Sequence, residues 1–169
     1  MTDTHRILGT LHTADGRGAI RLADRFDTDV DDLWSAITEP DRLARWIGEV
    51  KGDLRVGGEY RARYHPSGWE GTGRIEQCEP PRRLRLTGAE PDDPHGVVTE
   101  ITLTPDGDQT ILVVEKRGMP LDQVAGFGAG NQIQLEDLAA YLAGGDRCDS
   151  DARIAVLYPL YAQLPVGNG

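Results

Sequence analysis

Phe127-Gly-Ala-Gly-Asn-Gln-Ile-Gln-Leu-Glu-Asp-Leu-Ala-Ala-Tyr-Leu142 spells the one long helix of this 169-residue chain. Phe127, Asn131, Leu135, Leu138 and Leu142 follow one another at intervals of four, four, three and four, which places them on a single stripe. Gly144-Gly145 then provides the residues that tolerate the left-handed turn closing a helix. The first half carries Gly126, Gly128 and Gly130, each about 1 kcal/mol worse than alanine in a helix interior. A break or bend is therefore expected there.

What such a helix covers is written in the stretch before it. From Gly48 to Gly118 the pattern is that of antiparallel strands. Tyr60, Ala62 and Tyr64 alternate with Glu59, Arg61 and Arg63 after the Gly57-Gly58 turn, giving one aromatic and one charged face. Further runs follow at Thr72–Cys78, at Leu84 and Leu86, at Val97 to Leu103, and at Thr110–Lys116, separated by short turn segments. Links this short suit antiparallel pairing and leave no room for parallel crossovers.

Upstream, Ile7–His12 and Ala19–Phe26 flank Asp15-Gly-Arg-Gly18, a hairpin signal. Val30, Leu33, Trp34 and Ile37 give an amphipathic helix, with Thr28 and Asp31 as its expected cap. Thr38-Glu-Pro-Asp41 predicts the start of a second short helix, with Leu43, Trp46 and Ile47 buried. The expected architecture is α+β: a curved antiparallel sheet wrapped round the long C-terminal helix, with two short helices after an early strand. Residues 1–145 form the domain. Residues 146–169 form a helical tail, capped by Asp149-Ser150 and kinked or ended by Pro159. Ile154, Leu157, Leu160, Tyr161 and Leu164 make that tail too apolar to stand free, so it packs on the domain or on a second subunit as a homodimer.

Composition narrows the function. A net charge of −10 argues against nucleic acid, which needs a concentrated basic face, and against anionic lipid surfaces. No apolar run approaches the roughly 20 residues that span a bilayer, and the N-terminus lacks the pattern of a signal peptide. Cys78 and Cys148 are too few for a disulfide framework, so a reducing, cytoplasmic setting is expected. Small molecules and proteins remain as partners.

The segment Asp31-Asp-Leu-Trp-Ser-Ala-Ile-Thr-Glu-Pro-Asp-Arg-Leu-Ala-Arg-Trp46 resembles the opening of START-like (SRPBCC) proteins. The bacterial branch named after the activator of the Hsp-ninety chaperone ATPase is the most similar. Val56-Gly-Gly-Glu-Tyr60, the block from Gly73 through Glu79-Pro-Pro-Arg-Arg-Leu84, and Gly128 to Leu142 continue the likeness across roughly Ala19 to Gly145. The resemblance implies a helix-grip fold with a cavity between sheet and last helix, where members of the superfamily bind lipids, hormones or polyketides and some transform them. It also implies a tryptophan where this chain has Asn131. Two readings follow for that residue: a carboxamide bonded to backbone at a helix start or bend, or a polar hook inside a cavity enlarged by the missing ring.

The chemistry-bearing residues fit a binding site better than a catalytic one. His5, His12, His65 and His95 have no metal-ligand spacing. Ser35, Ser67 and Ser150 lie in no nucleophile motif, and Cys78 sits among apolar neighbours like a packed residue. Nothing calls for a cofactor. Trp46, Tyr60, Tyr64 and Trp69 are the candidate aromatic lining, with Phe127, Asn131 and Leu135 as the helix wall; core packing is the other role for the aromatics. Lys116 shares strand parity with Leu112 and Val114. It is the candidate for anion binding and, with a tyrosine as the alternative, for proton transfer, unless it reaches solvent from the rim. The expected function is binding of a small hydrophobic or amphipathic molecule. The alternatives are a cyclase- or aromatase-like reaction on a polyketide-type substrate, and chaperone ATPase activation through an interaction surface.

Overall fold

The computed structural model describes residues 5–65, 68, 70–90 and 93–168. The Asp15-Gly16 turn joins β1 (Gly9–Ala14) to β2 (Arg17–Phe26), both turn residues taking positive φ, as a two-residue hairpin requires. Two helices follow, α1 (Val30–Thr38) and α2 (Pro40–Trp46). Then come β3 (Gly48–Gly52), β4 (Glu59–Tyr64), β5 (Glu70–Glu79), β6 (Arg83–Glu90), β7 (Asp93–Asp106) and β8 (Gln109–Met119). A single 3-10 turn leads into α3 (Val124–Leu142), and α4 (Ser150–Ala162) and β9 (Val166–Asn168) end the chain. The described strands form one curved sheet in the order β3-β4-β5-β6-β7-β8-β2-β1-β9, antiparallel throughout except that β9 runs parallel to β1. This is the α+β helix grip.

Several local expectations are corrected. Asp29, not Thr28, caps α1: its backbone is extended and its Oδ1 accepts from the Asp32 N–H at 2.8 Å. Thr28 stands one residue too early, and its hydroxyl donates to the Asp32 carboxylate instead. Thr38 does not cap α2. It is the last residue of α1 and donates to the Trp34 carbonyl, leaving Glu39 at the cap without a side-chain bond and Pro40 to set the first turn.

The expected break in the long helix is absent, and α3 is continuous from Val124 to Leu142. Tertiary packing offsets the poor propensity of its glycines. A Cβ on Gly128 would lie 2.6 Å from the Tyr161 ring, so the missing side chain lets α4 approach. The C-terminal end is as expected: Gly144 takes φ +81 and the Gly145 N–H donates to the Ala140 carbonyl.

The tail belongs to the same core. Leu157 and Tyr161 are fully buried and Ile154, Leu160 and Leu164 half-buried, so the tail packs on its own domain. Asp149 caps α4, which runs three residues beyond Pro159 to Ala162. The carbonyl that Pro159 leaves without an N–H belongs to Ala155, an exposed residue where solvent satisfies it. After the helix the tail ends as a strand, pairing Leu11 with Val166 and His12 with Gly167.

One buried side chain holds these elements together. Gln132 Oε1 accepts from the Leu8 N–H (3.0 Å) and the Tyr161 hydroxyl (2.7 Å), while its Nε2 donates to the Arg6 carbonyl and to Glu136. Arg153 on α4 completes the cluster with a bidentate pair to Glu136 at 2.7 and 2.8 Å. With both ends of the Gln132 amide doubly bonded, such a network favours one packing.

The network has a pH signature. Burial pushes the Tyr161 phenol up to about 12. Folding therefore favours the neutral phenol, a contribution fully present below the ordinary value near 10 and lost as the pH rises toward 12. Burial alone would raise Glu136, but hydrogen bonds from Arg153 and Gln132 outweigh it and hold the carboxyl below its ordinary value of 4.5. Its contribution is present above 4.5 and lost as the pH falls through the lowered value. Urea midpoints measured across pH should fall at both ends, and replacing Tyr161 with Phe should flatten the alkaline fall.

Candidate functional site: the cavity between sheet and long helix

Strand register decides what faces α3. One row across the sheet reads Ile75, Leu86, Thr99, Lys116, Ile20, Leu11. Leu11, Ile20 and Ile75 are buried core residues, so the row points inward and carries Lys116 and Thr99 with it, side by side. The parallel row toward β4 runs Tyr60, Gly73, Gly88, Val97. Two glycines in succession leave the sheet without side chains there, and the Tyr60 ring lies across Gly73, where a Cβ would strike it. At Gly88, where nothing covers the strand, the missing side chain becomes volume.

That volume is a cavity of about 660 Å³ bounded by β4 to β8, α3 and one side of α4. A second, more apolar chamber of about 180 Å³ lies beside it toward α1 and α2. Trp46, Ile47, Tyr60, Tyr64, Leu86, Thr99, Lys116, Asn131 and Gln134 line both. Of the residues singled out in the sequence, Phe127 lines the larger chamber and Leu135 the smaller. Trp69 lies outside the described residues.

The lining is specific in what it offers. The Trp46 indole N–H donates to the Ala36 carbonyl at 2.9 Å, so Trp46 presents an apolar ring and no free donor. Burial raises the Tyr60 and Tyr64 phenols well above their ordinary value, Tyr60 further through the neighbouring Tyr64. Both stay neutral hydrogen-bonding groups at physiological pH. Burial also raises the Cys78 thiol in the smaller chamber, which keeps it protonated and a poor nucleophile.

Asn131 combines parts of both readings. It is 9% exposed, in mid-helix, and its Nδ2 donates to the Phe127 carbonyl at 2.7 Å. Its Oδ1 has no partner among the described residues and is left to the cavity. The amide nitrogen is thus structural and the oxygen is an open acceptor. Lys116, half-buried, lines both chambers from the inward row.

Sequence reasoning missed much of the lining, Thr99 and Leu86 on the strands as well as residues of both C-terminal helices. Gln134 and Asp137 continue from Asn131 at intervals of three and add polar groups to the α3 wall. The Asp137 carboxylate, 4% exposed, accepts from the Cys148 N–H and so fixes the link to α4. Ile154 and Tyr158 come from α4. The three-residue spacing from Asn131 was a usable signal for the first pair; the α4 pair had none. Among the described residues no group of three or more His, Cys, Asp or Glu is placed to hold a metal ion, and no helix is long and apolar enough to cross a membrane.

Residues 27–143 match the family described as "Activator of Hsp90 ATPase homolog 1-like protein". The chain belongs to this family. Its match stops before α4. The crystal structure of CalU16 from Micromonospora echinospora superposes with a TM-score of 0.71 at 30% identity, covering 90% of this chain and 95% of that one. The solution structure of CalU16 gives 0.74 at 26% identity, covering 96% and 94%. DynU16, from the dynemicin biosynthetic locus, gives 0.68 at 27% identity and covers 75% of this chain; the chain spans about half of that protein, 48% of its length. No curated protein sequence matches at a significant level.

Proposed function

We propose that the protein binds a small hydrophobic or amphipathic molecule between the sheet and α3. The cavity of about 660 Å³ carries this reading. It falls within the roughly 300–1,000 Å³ of small-molecule sites, and its walls combine apolar and aromatic surface with polar and charged groups that would orient a guest. Trp46, Tyr60, Tyr64 and Phe127 would stack on or enclose the apolar body. The Asn131 carbonyl oxygen, Gln134, Thr99 and Lys116 would meet oxygen or nitrogen functions.

The test is to purify the protein natively, denature it and identify the released molecules by mass spectrometry. A stoichiometric guest that raises Tm with its concentration is expected, since a ligand of the native state stabilises by mass action. Absence of any guest, together with no saturable Tm shift across a library of amphipathic compounds, would overturn the reading.

A second reading, a cyclase- or aromatase-like reaction, draws on the inward Lys116 and on the similarity to a protein of a biosynthetic locus. It differs in turnover: a binder returns its guest unchanged, and an enzyme does not. Chaperone activation has less behind it. The large apolar side chains most exposed among the described residues are Val56, Leu121, Tyr158 and Val166, on four separate segments.

A further inference from the structure

The two sides of α4 do different things. Arg153, Leu157 and Tyr161, four residues apart, form the side that docks on the domain. Leu157 and Tyr161 are fully buried, and Arg153 and Tyr161 bond Glu136 and Gln132 of α3. Ser150, Ile154 and Tyr158, also four residues apart, form the adjacent stripe, and all three line the large cavity. The helix is held at its start as well, by the Asp149 cap and by the bond from Cys148 to Asp137. It is therefore a fixed wall. The family match ends at residue 143, so this wall lies outside the part of the fold that defines the family.

We infer that α4 selects the ligand, and that Ile154 and Tyr158 are specificity-determining residues limiting the breadth of the molecule that enters. The inference rests on the cavity being a ligand site. A pocket closed only by sheet and α3 would be open along this side. Here a half-buried isoleucine and a half-exposed tyrosine stand on a rigid support, where one larger or smaller side chain changes the space directly. Exclusion by such a wall is discrimination by clash, not by added attraction. Gly126 supports the arrangement: it leaves its side of α3 clear, with the Tyr158 ring at van der Waals distance from where its Cβ would lie.

The test uses the full chain and two uncharged alcohols, pyrenebutanol with a broad polycyclic body and dodecanol with a narrow one. Dissociation constants are measured for the wild type, Ile154→Trp, Ile154→Ala and Tyr158→Ala. The expected readout is the ratio of the two constants. Ile154→Trp should shift it against pyrenebutanol by roughly tenfold, and the two alanine variants should shift it the other way. Neither position is fully buried, so the variants fold, and circular dichroism with Tm verifies it. A ratio within about twofold of wild type in all three folded variants would overturn the inference and leave the binding reading intact. Failure of the wild type to bind either alcohol would count against the cavity reading itself, and the inference would fall with it.

Discussion

Replacing Tyr161 with Ala should lower the unfolding free energy by roughly 3–5 kcal/mol, the range for removing a fully buried aromatic side chain. The ring fills the space that Gly128 leaves on α3 and lies beside Leu11 of β1, so three elements lose their common contact. In a chain of this size the loss should lower Tm by about 6–20 °C. Tyr161→Phe isolates the hydroxyl. Gln132 Oε1 would still accept from the Leu8 N–H, so no acceptor is orphaned and the cost should be about 1 kcal/mol. Urea unfolding resolves the cases. An unchanged m-value with a lowered midpoint means that α4 unfolds with the domain. An early separate transition in wild type, or a Tyr161→Ala cost under about 1 kcal/mol, would show that the tail lies outside the cooperative unit.

The second large effect is on binding. Gly88→Phe should weaken any cavity ligand by at least about tenfold while leaving Tm unchanged or raised. Gly88 faces the cavity from β6 and its φ is not positive; the nearest atom to an added Cβ is the Thr72 carbonyl oxygen at 3.7 Å, an ordinary contact. The first carbon fits and the ring has only the cavity to enter. Strand glycines carry an entropic cost that any side chain removes, so stability need not suffer. Gly73→Val is the contrasting case. Its Cβ would meet the Tyr60 ring and lie 2.8 Å from the Thr87 carbonyl oxygen, so both binding and Tm should fall. Saturable binding retained by a folded Gly88→Phe would place the ligand elsewhere on the molecule.

Most of the architecture was legible because it is local. Periods of two and near 3.6 mark strands and helices wherever one face is buried, and Gly57-Gly58, Gly144-Gly145 and Asp15-Gly16 mark the turns and ends. Trp46, Tyr60, Tyr64, Phe127, Asn131 and Lys116 were picked out the same way, by parity or stripe. The errors in capping were shifts of a single residue, each expected threonine donating its hydroxyl to a nearby oxygen instead. The expected break in α3 failed for another reason. Propensity weighs each glycine alone, whereas Gly128 is placed by Tyr161, thirty-three positions downstream.

The elements, their order, the α+β class and one wall of the candidate site follow from periodicity within a few consecutive turns or strands, and the helix grip followed from the family resemblance. Tertiary pairing alone sets Gly88 beside Gly73, so that one glycine opens the cavity while the other seats the Tyr60 ring, and puts Lys116 in one row with Thr99. Only the tertiary structure could assign the apolar residues of α4, which fall on two adjacent stripes and read as neither. Register and helix docking are set by contacts between residues far apart in the chain, and a local pattern records that a side chain is to be buried without recording against what.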